Sequence, residues 1–211
     1  FCLSRGLGDV YKRQVKMNTG TSYDRVAAEY ARRIYGELAH KPFDRKLLDW
    51  LIEKVADRGV ICDVGCGPGQ VARYLHDRGA QACGVDLSAG MVAEAERLNP
   101  GIPFQQADMR TLAGIPDGAY GGIAAFYSII HVPHAQVVGA LESFRRVLVP
   151  GGRVLIAFHA GDETRHLDEW WGESVSLDFI FFEREQMKGY LAAAGFTLEE
   201  VIERDPYPEV E

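Results

Sequence analysis

The stretch that decides the fold is ICDVGCGPGQV, residues 61–71. A short apolar run leads into a turn in which Gly65, Gly67 and Gly69 alternate with other residues, and a helical pattern follows. Glycines let the backbone turn sharply and approach a ligand closely, and the start of a helix offers free N–H groups. The order strand, glycine-rich turn, helix therefore predicts a ligand-binding turn at one edge of an α/β sheet.

The spacing around this turn narrows the kind of ligand. The fingerprint of dinucleotide-binding turns is G-x-G-x-x-G, but position 70 is Gln70 and the glycines follow G-x-G-x-G. An acid, Asp63, stands two residues before the first glycine, and a second acid, Asp86, closes the next predicted strand. An acid at that position can accept hydrogen bonds from ribose hydroxyls. The pattern disfavours a nicotinamide-dependent oxidoreductase, which is kept as an alternative.

The rest of the chain alternates between apolar runs and helical patterns. Strands separated by helices imply right-handed βαβ units and a parallel sheet. We therefore expect an α/β fold with a doubly wound, mostly parallel Rossmann-like sheet and helices on both faces. The predicted strands are 60–64, 81–85, 104–107, 123–126, 153–158, a strand-like run at 175–182 and a last strand at 196–203, and the predicted helices are 24–38, from 42 to near 59, 71–77, 88–98, 134–148 and 185–194.

Charge and composition exclude several classes of protein. The 211 residues are 47% hydrophobic and 25% charged, as in a globular protein, and carry a net charge of -7. An acidic chain disfavours nucleic acid as a partner, because phosphates are bound by basic faces. The longest apolar stretch, 123–132, is too short to span a bilayer. The four cysteines form no C-x-x-C pair, so we expect no metal site and a reducing, cytoplasmic environment.

Residues 63–69 and Asp86 together resemble the first two signatures of the class I S-adenosylmethionine-dependent methyltransferases. The resemblance covers about residues 22–205 and implies S-adenosylmethionine as cofactor. It extends to Asp108-Met109 after the third predicted strand, Phe126-Tyr127-Ser128 after the fourth, and the turn 148–153 into the fifth.

The resemblance also assigns roles to individual residues around the methyl donor. The backbone of Gly65, Cys66 and Gly67 would lie near the methionine part of the donor, and Asp86 would clamp the ribose. Tyr30, on the first helix, would close over the donor or else fill the core. The remaining implied positions are Leu87 and Met91 beside the adenine, Asp108 at its amino group, and Asp63, Gly69, Met109 and Phe126 around the cleft.

The residues after the fourth strand bear on the methyl acceptor. The N/D-P-P-Y/F signature of enzymes that methylate base amines or glutamine is missing. We therefore expect a small-molecule acceptor with a hydroxyl or amine group. Tyr127 and His131 follow the strand where the acceptor would arrive, and His131 is the better candidate base because its ordinary pKa is near neutrality. The alternative is that His131 only hydrogen-bonds the turn before Pro133.

Two further alternatives remain open from the sequence. Trp170, Trp171 and the segment 179–182 either line an apolar acceptor pocket or pack in the core. A protein that binds S-adenosylmethionine without catalysis, as a regulatory module, would carry the same motifs as an enzyme.

The expected organisation is one methyltransferase domain at 17–211. Residues 1–16 lack helix or strand periodicity and are expected to be a non-native leader. The domain divides into lid helices at 17–58, a cofactor-binding core at 59–160 and an acceptor-side segment at 161–211. The family's sheet ends in an antiparallel strand after the sixth, and few residues follow 203. We expect that strand to be missing and the fifth strand to have an unpaired edge.

Overall fold

The computed structural model describes residues 18–205 and residue 207, so the leader predicted at 1–16 lies outside the described residues. The predicted α/β alternation is confirmed from the first helix to the fifth strand of the sheet. The helices are α1 (Thr19–Ile34), α2 (Pro42–Val55), α3 (Gln70–Asp77), α4 (Ala89–Leu98), α5 (His134–Val147) and α6 (Arg184–Ala193), and the strands are β1 (Ile61–Val64), β2 (Ala82–Asp86), β3 (Phe104–Gln106), β4 (Tyr120–Phe126), β5 (Leu148–Ala157), β6 (Thr164–Trp170) and β7 (Glu173–Ile180).

Five strands form a parallel sheet in the order β3-β2-β1-β4-β5. The strand order reverses between β1 and β4, so the ends of these strands open a crevice. The turn after β1 and the residues after β4 face this crevice from its two sides. In the described part of the chain, β3 and β5 are the two edge strands of the sheet.

Side chains of the strands alternate between two hydrophobic clusters, as a parallel sheet covered on both faces requires. Ile61 and Ala124 are buried with residues of α2 and α3 on one face. Cys62 and Ile123 are buried with residues of α5 and α6 on the other. The predicted doubly wound arrangement with helices on both faces is confirmed.

Helix α1 lies across the crevice and packs against α4 on one side and β7 on the other. Asn18 and Thr21 form a capping box at its start, which satisfies orphan N–H groups of the first turn. Val26 is buried against Val175 and Leu177 of β7. The helix is thereby held at both flanks of the crevice.

The region after β5 differs from the predictions. Strands β6 and β7 form an antiparallel hairpin; the run at 175–182 was predicted as strand-like, but β6 was not predicted. The strand predicted at Phe196–Glu203 is wrong, because residues 196–205 are irregular. Leu198, Val201 and Ile202 are 42–47% exposed there, and a strand needs a hydrogen-bonded neighbour that none of the described strands provides.

Candidate functional site

The glycine-rich turn is held against the end of the neighbouring strand. The N–H groups of Gly65 and Cys66 both donate to the carbonyl oxygen of Val85, at 2.8 and 3.0 Å. Gly65 has a φ of +75° and lies so close to Ser128 that a Cβ there would stand 2.3 Å from the Ser128 Cβ. Only glycine fits this backbone and this contact. The turn is therefore held by hydrogen bonds to β2 and by packing against the residues that follow β4.

Asp63 supports the turn from beneath. Its side chain is 2% exposed, and its Oδ2 accepts from the N–H of Ala72 in the first turn of α3 at 3.2 Å. Burial raises the pKa of Asp63 to about 8, and the Ala72 N–H opposes that rise. This carboxyl group fixes the start of α3; a direct contact with the donor stays a prediction.

Asp86 is the acid that faces the crevice. Its Oδ2 accepts from the Gly67 N–H and its Oδ1 from the Ser88 N–H, both at 2.8 Å. Burial raises the pKa of Asp86, while these two N–H groups lower it. The carboxylate is thus oriented by two backbone donors and keeps lone pairs for hydroxyl donors of a ligand.

Helix α1 brings an aromatic ring over the turn. A Cβ built on Gly67 would lie 3.7 Å from Cε1 of Tyr30, in ordinary van der Waals contact. Asp24, on the same helix, accepts from the Ser88 hydroxyl at 2.6 Å and from the Gly90 N–H at 2.8 Å. The Tyr30 ring therefore lies beside the glycine-rich turn; its contact with the donor stays a prediction.

The residues predicted on the adenine side occupy different environments. Leu87 borders the crevice beside Gly20 of α1, whereas Met91 is 1% exposed in the interior. Both carboxylate oxygens of Asp108 accept from the guanidinium of Arg110, and this neighbour lowers the pKa of Asp108 against the effect of burial. If Asp108 bound the adenine amino group, its carboxylate would have to accept from that group and from Arg110 together. These assignments stay predictions.

The residues that follow β4 and β5, where the acceptor is predicted to arrive, form an aromatic cluster. Tyr127 has a φ of +50°, and its ring lies 5.0 Å from that of His159. His159 in turn stacks on Phe181 at 5.2 Å. Burial raises the pKa of Tyr127 to about 12, so its hydroxyl is protonated at neutral pH. Phe126, the last residue of β4, packs edge-on against Tyr127 at 6.3 Å.

His131 has partners at both ring nitrogens. Nδ1 lies 2.8 Å from the carbonyl oxygen of Asp178, and Nε2 lies 2.8 Å from the hydroxyl of Tyr23. Burial lowers the pKa of His131 to about 4, so the ring is neutral. Because a carbonyl only accepts, Nδ1 carries the hydrogen and Nε2 accepts from Tyr23. The structure therefore leaves His131 no free nitrogen with which to take a proton from an acceptor, which argues against the predicted base.

This environment predicts a pH dependence of stability. The pKa of a free histidine is about 6.5, and in the folded protein that of His131 is about 4. The unfolded state therefore binds more protons between these values, and the free energy of unfolding falls as pH drops through that window. Denaturation at pH 7 and pH 5 should show wild type losing on the order of 1–2 kcal/mol more than His131→Asn. An equal loss in both proteins would contradict a buried neutral ring.

Three residues that hold the site together were not predicted. Tyr23, Asp24 and His159 follow no motif, and their partners lie far away in the sequence: Tyr23 and His131 are separated by 108 positions. Trp170 stands edge-on to both Tyr23 and Tyr30, at 5.9 and 5.6 Å. Trp170 therefore packs against α1 beside the crevice.

The fold and the turn define a Rossmann-like domain with a carboxylate, Asp86, at the end of β2. Comparison with protein families agrees, since residues 61–152 match the model described as "Methyltransferase domain". The chain is 30% identical over 149 residues to malonyl-[acyl-carrier protein] O-methyltransferase of Pseudescherichia vulneris, covering 69% of this chain and 58% of that protein. It is 37% identical over 94 residues to trans-aconitate 2-methyltransferase of Methylobacterium nodulans, covering 44% of this chain and 35% of that protein.

Solved structures share the fold. The DhpI–S-adenosylhomocysteine complex superposes with a TM-score of 0.66 at 23% identity, covering 82% of this chain and 83% of that one. Magnesium protoporphyrin IX methyltransferase of Synechocystis PCC 6803 gives a TM-score of 0.65 at 19% identity, covering 86% of each chain. The match to the methyltransferase model and the curated relatives support the class I S-adenosylmethionine-dependent methyltransferase family for this chain. It spans 58% of the length of the first of the two curated relatives and 35% of the second.

Proposed function

We propose that the protein transfers a methyl group from S-adenosylmethionine to a small-molecule acceptor. The observation that carries this proposal is the Asp86 carboxylate, which the Gly67 and Ser88 N–H groups hold at 2.8 Å at the end of β2. The residues fit the cofactor: a carboxylate suits two ribose hydroxyls, and Gly67 presents no side chain toward Tyr30. The bound cofactor would supply a methyl group that is already activated on a sulfonium.

The protein's part in this reaction is alignment and exclusion of water. Asp86 would orient the donor, and the backbone at Gly65 and Gly67 would lie against its amino-acid part. Tyr30 and the rest of α1 would cover the cleft. The donor would then point toward the residues after β4, where Tyr127 and His159 form one wall.

For the acceptor, the first candidate is a hydroxyl or amine, as the sequence suggests. A base would be needed for such a group if it were protonated, and His131 does not fit that role. A carboxylate is the second candidate, because it attacks without losing a proton. Burial and the nearby cations Arg165, Lys41 and Arg204 lower the pKa of His159. Each of these cations is paired with a carboxylate, of Glu163, Glu37 and Asp44 in turn, so they supply no net positive charge that would favour the carboxylate candidate. Support for that candidate comes from relatives named for malonyl and trans-aconitate acceptors.

An acceptor screen separates these two candidates. With labelled S-adenosylmethionine and sets of hydroxyl, amine and carboxylate compounds, we expect label transfer to at least one set and none to RNA or DNA. Methyl esters release labelled methanol in mild base, whereas methyl ethers and methylamines retain the label. Base-labile product would identify a carboxylate acceptor, and base-stable product a hydroxyl or amine. Efficient methylation of nucleic acid would contradict the small-molecule assignment.

We also propose that the protein acts in the cytoplasm and that it is an enzyme. Cys62, Cys66 and Cys83 are free thiols, which fits a reducing compartment such as the cytoplasm. No described helix has the length and apolar character needed to cross a membrane. Formation of S-adenosylhomocysteine together with a methylated product distinguishes an enzyme from a module that only binds the donor.

A further inference from the structure

Helix α1 closes the crevice, and its contacts show what holds it there. On the donor side Asp24 binds the Ser88 hydroxyl and the Gly90 N–H. On the hairpin side the Ser22 hydroxyl accepts from the Ser176 N–H at 2.9 Å. Between these two attachments, the Tyr23 hydroxyl reaches His131 at 2.8 Å. Tyr23 is the residue of α1 that is tied to the loop after β4.

His131 joins three parts of the protein at one ring. It belongs to a short 3-10 turn, Ile129–His131, that follows β4. Its Nδ1–H donates to Asp178 of β7, and its Nε2 accepts from Tyr23 of α1. The ring also packs edge-on against Tyr23 and Phe179, at 5.3 and 5.0 Å. Neither hydrogen bond involves a charged group. The attachment of α1 to the loop after β4 therefore does not depend on surface electrostatics.

The Tyr23–His131 hydrogen bond is linked to the donor site through Tyr30. Tyr23 and Tyr30 pack edge to face at 5.9 Å on the same helix, about two turns apart. Tyr30 in turn stands over the glycine-rich turn, so close that a Cβ on Gly67 would touch its ring. A ligand that passes between Gly67 and the Tyr30 ring must therefore displace that ring or the helix that carries it. A movement of α1 away from the loop after β4 would break the Tyr23–His131 bond.

We propose that the Tyr23–His131 hydrogen bond is the latch of the lid helix and sets how long the methyl donor stays bound. Both are positioning residues: they hold Tyr30 and α1 over the cleft and do not touch the reacting atoms. The inference rests on the proposed function, because it concerns retention of S-adenosylmethionine. It also gives His131 a role that explains why both of its ring nitrogens are occupied.

Three variants distinguish the two hydrogen bonds of His131, and a fourth serves as a control. Tyr23→Phe removes the hydroxyl alone. His131→Asn keeps a donor near the Nδ1 position and loses the acceptor for Tyr23, whereas His131→Gln keeps an acceptor near Nε2 and loses the donor to Asp178. Tyr74→Phe is the matched control, since the hydroxyl of Tyr74 in α3 binds Asp49 of α2 and this bond does not involve α1.

The measurement is the dissociation of labelled S-adenosylmethionine chased with unlabelled compound. We expect Tyr23→Phe and His131→Asn each to dissociate about tenfold faster, as the loss of one hydrogen bond predicts. His131→Gln should be closer to wild type, and Tyr74→Phe should match it. The double variant Tyr23→Phe/His131→Asn should be no faster than either single one, because both remove the same bond. Hydrogen exchange of α1 in the donor complex should rise in the same two variants.

Different outcomes would contradict the latch proposal and the proposed methyltransferase function. Unchanged dissociation in Tyr23→Phe, or additive effects in the double variant, overturns the latch while donor binding stands. A wild-type protein that binds no S-adenosylmethionine refutes the proposed function, and the latch with it. If His131→Asn fails to fold, Tyr23→Phe carries the test, because it removes a single oxygen atom.

Discussion

Replacing Gly65 with alanine is expected to abolish donor binding and to lower the stability of the fold. A Cβ at this position would stand 2.3 Å from the Cβ of Ser128 and 2.9 Å from its hydroxyl oxygen. Ser128 cannot retreat easily, since it is 6% exposed and its hydroxyl donates to the carbonyl oxygen of Val64 at 2.6 Å. The turn or the loop after β4 must shift, and both border the crevice.

The size of this effect follows from two costs. The left-handed backbone costs a residue other than glycine about 1–2 kcal/mol, and forcing a methyl group into a packed site costs about 1–3 kcal/mol more. Together they predict a melting temperature lower by about 4–20 °C. Gly79→Ala is the matched control, because Gly79 has a φ of +86° but nothing within 4 Å of its built Cβ. A Gly65→Ala protein that melts like the Gly79→Ala protein and binds S-adenosylmethionine normally would contradict the packing described here.

Replacing Asp86 with alanine is expected to weaken S-adenosylmethionine binding about ten- to a hundredfold. Hydrogen bonds to a charged group contribute about 1.5–3 kcal/mol, and 1.4 kcal/mol is a tenfold change in affinity. The variant also frees the N–H groups of Gly67 and Ser88, which Asp86 now holds. Asp86→Asn keeps one oxygen acceptor and should lose less affinity than Asp86→Ala.

The stability of the Asp86 variants separates binding from folding. Burial already raises the pKa of Asp86, which means that its charge is costly in the folded protein. Asp86→Asn removes this charge and keeps one oxygen acceptor for the Gly67 and Ser88 N–H groups, so its melting temperature should stay near that of wild type while its donor affinity falls. Calorimetric titration together with thermal melting checks both quantities. If Asp86→Ala bound S-adenosylmethionine with unchanged affinity, the assignment of Asp86 to the donor site would be wrong.

The sequence predicts the core of this fold because local chemistry dictates it. Gly65 and Gly67 need backbone conformations that few other residues adopt, and Ser88 caps α4 through a bond to the Met91 N–H at 3.0 Å. The alternation of strands and helices predicts the parallel sheet but does not by itself fix the order of its strands. The predicted boundaries of β5 fell short, since the strand begins at Leu148 and runs through a Pro-Gly-Gly sequence that reads as a turn.

Beyond β5 the helix predicted at 185–194 is present as α6, but strand β6 and the irregular run at 196–203 could not be predicted, because their structure depends on partners distant in the sequence. Strand β6 has the sequence TRHLDEW, which lacks the alternation of a half-buried strand; it forms because β7 pairs with it. The run at 196–203 has strand-like residues but no described strand beside it. His131 was predicted as a base because its type and place suit one, and only the positions of Tyr23 and Asp178 reveal that both nitrogens are occupied.

The most direct test of the account is a calorimetric titration of the wild-type protein with S-adenosylmethionine and, separately, with NAD. We predict binding of S-adenosylmethionine in the micromolar range, on the order of −8 kcal/mol, and no heat of binding for NAD. Binding of NAD, or no binding of S-adenosylmethionine by a folded protein, would contradict the assignment of this site.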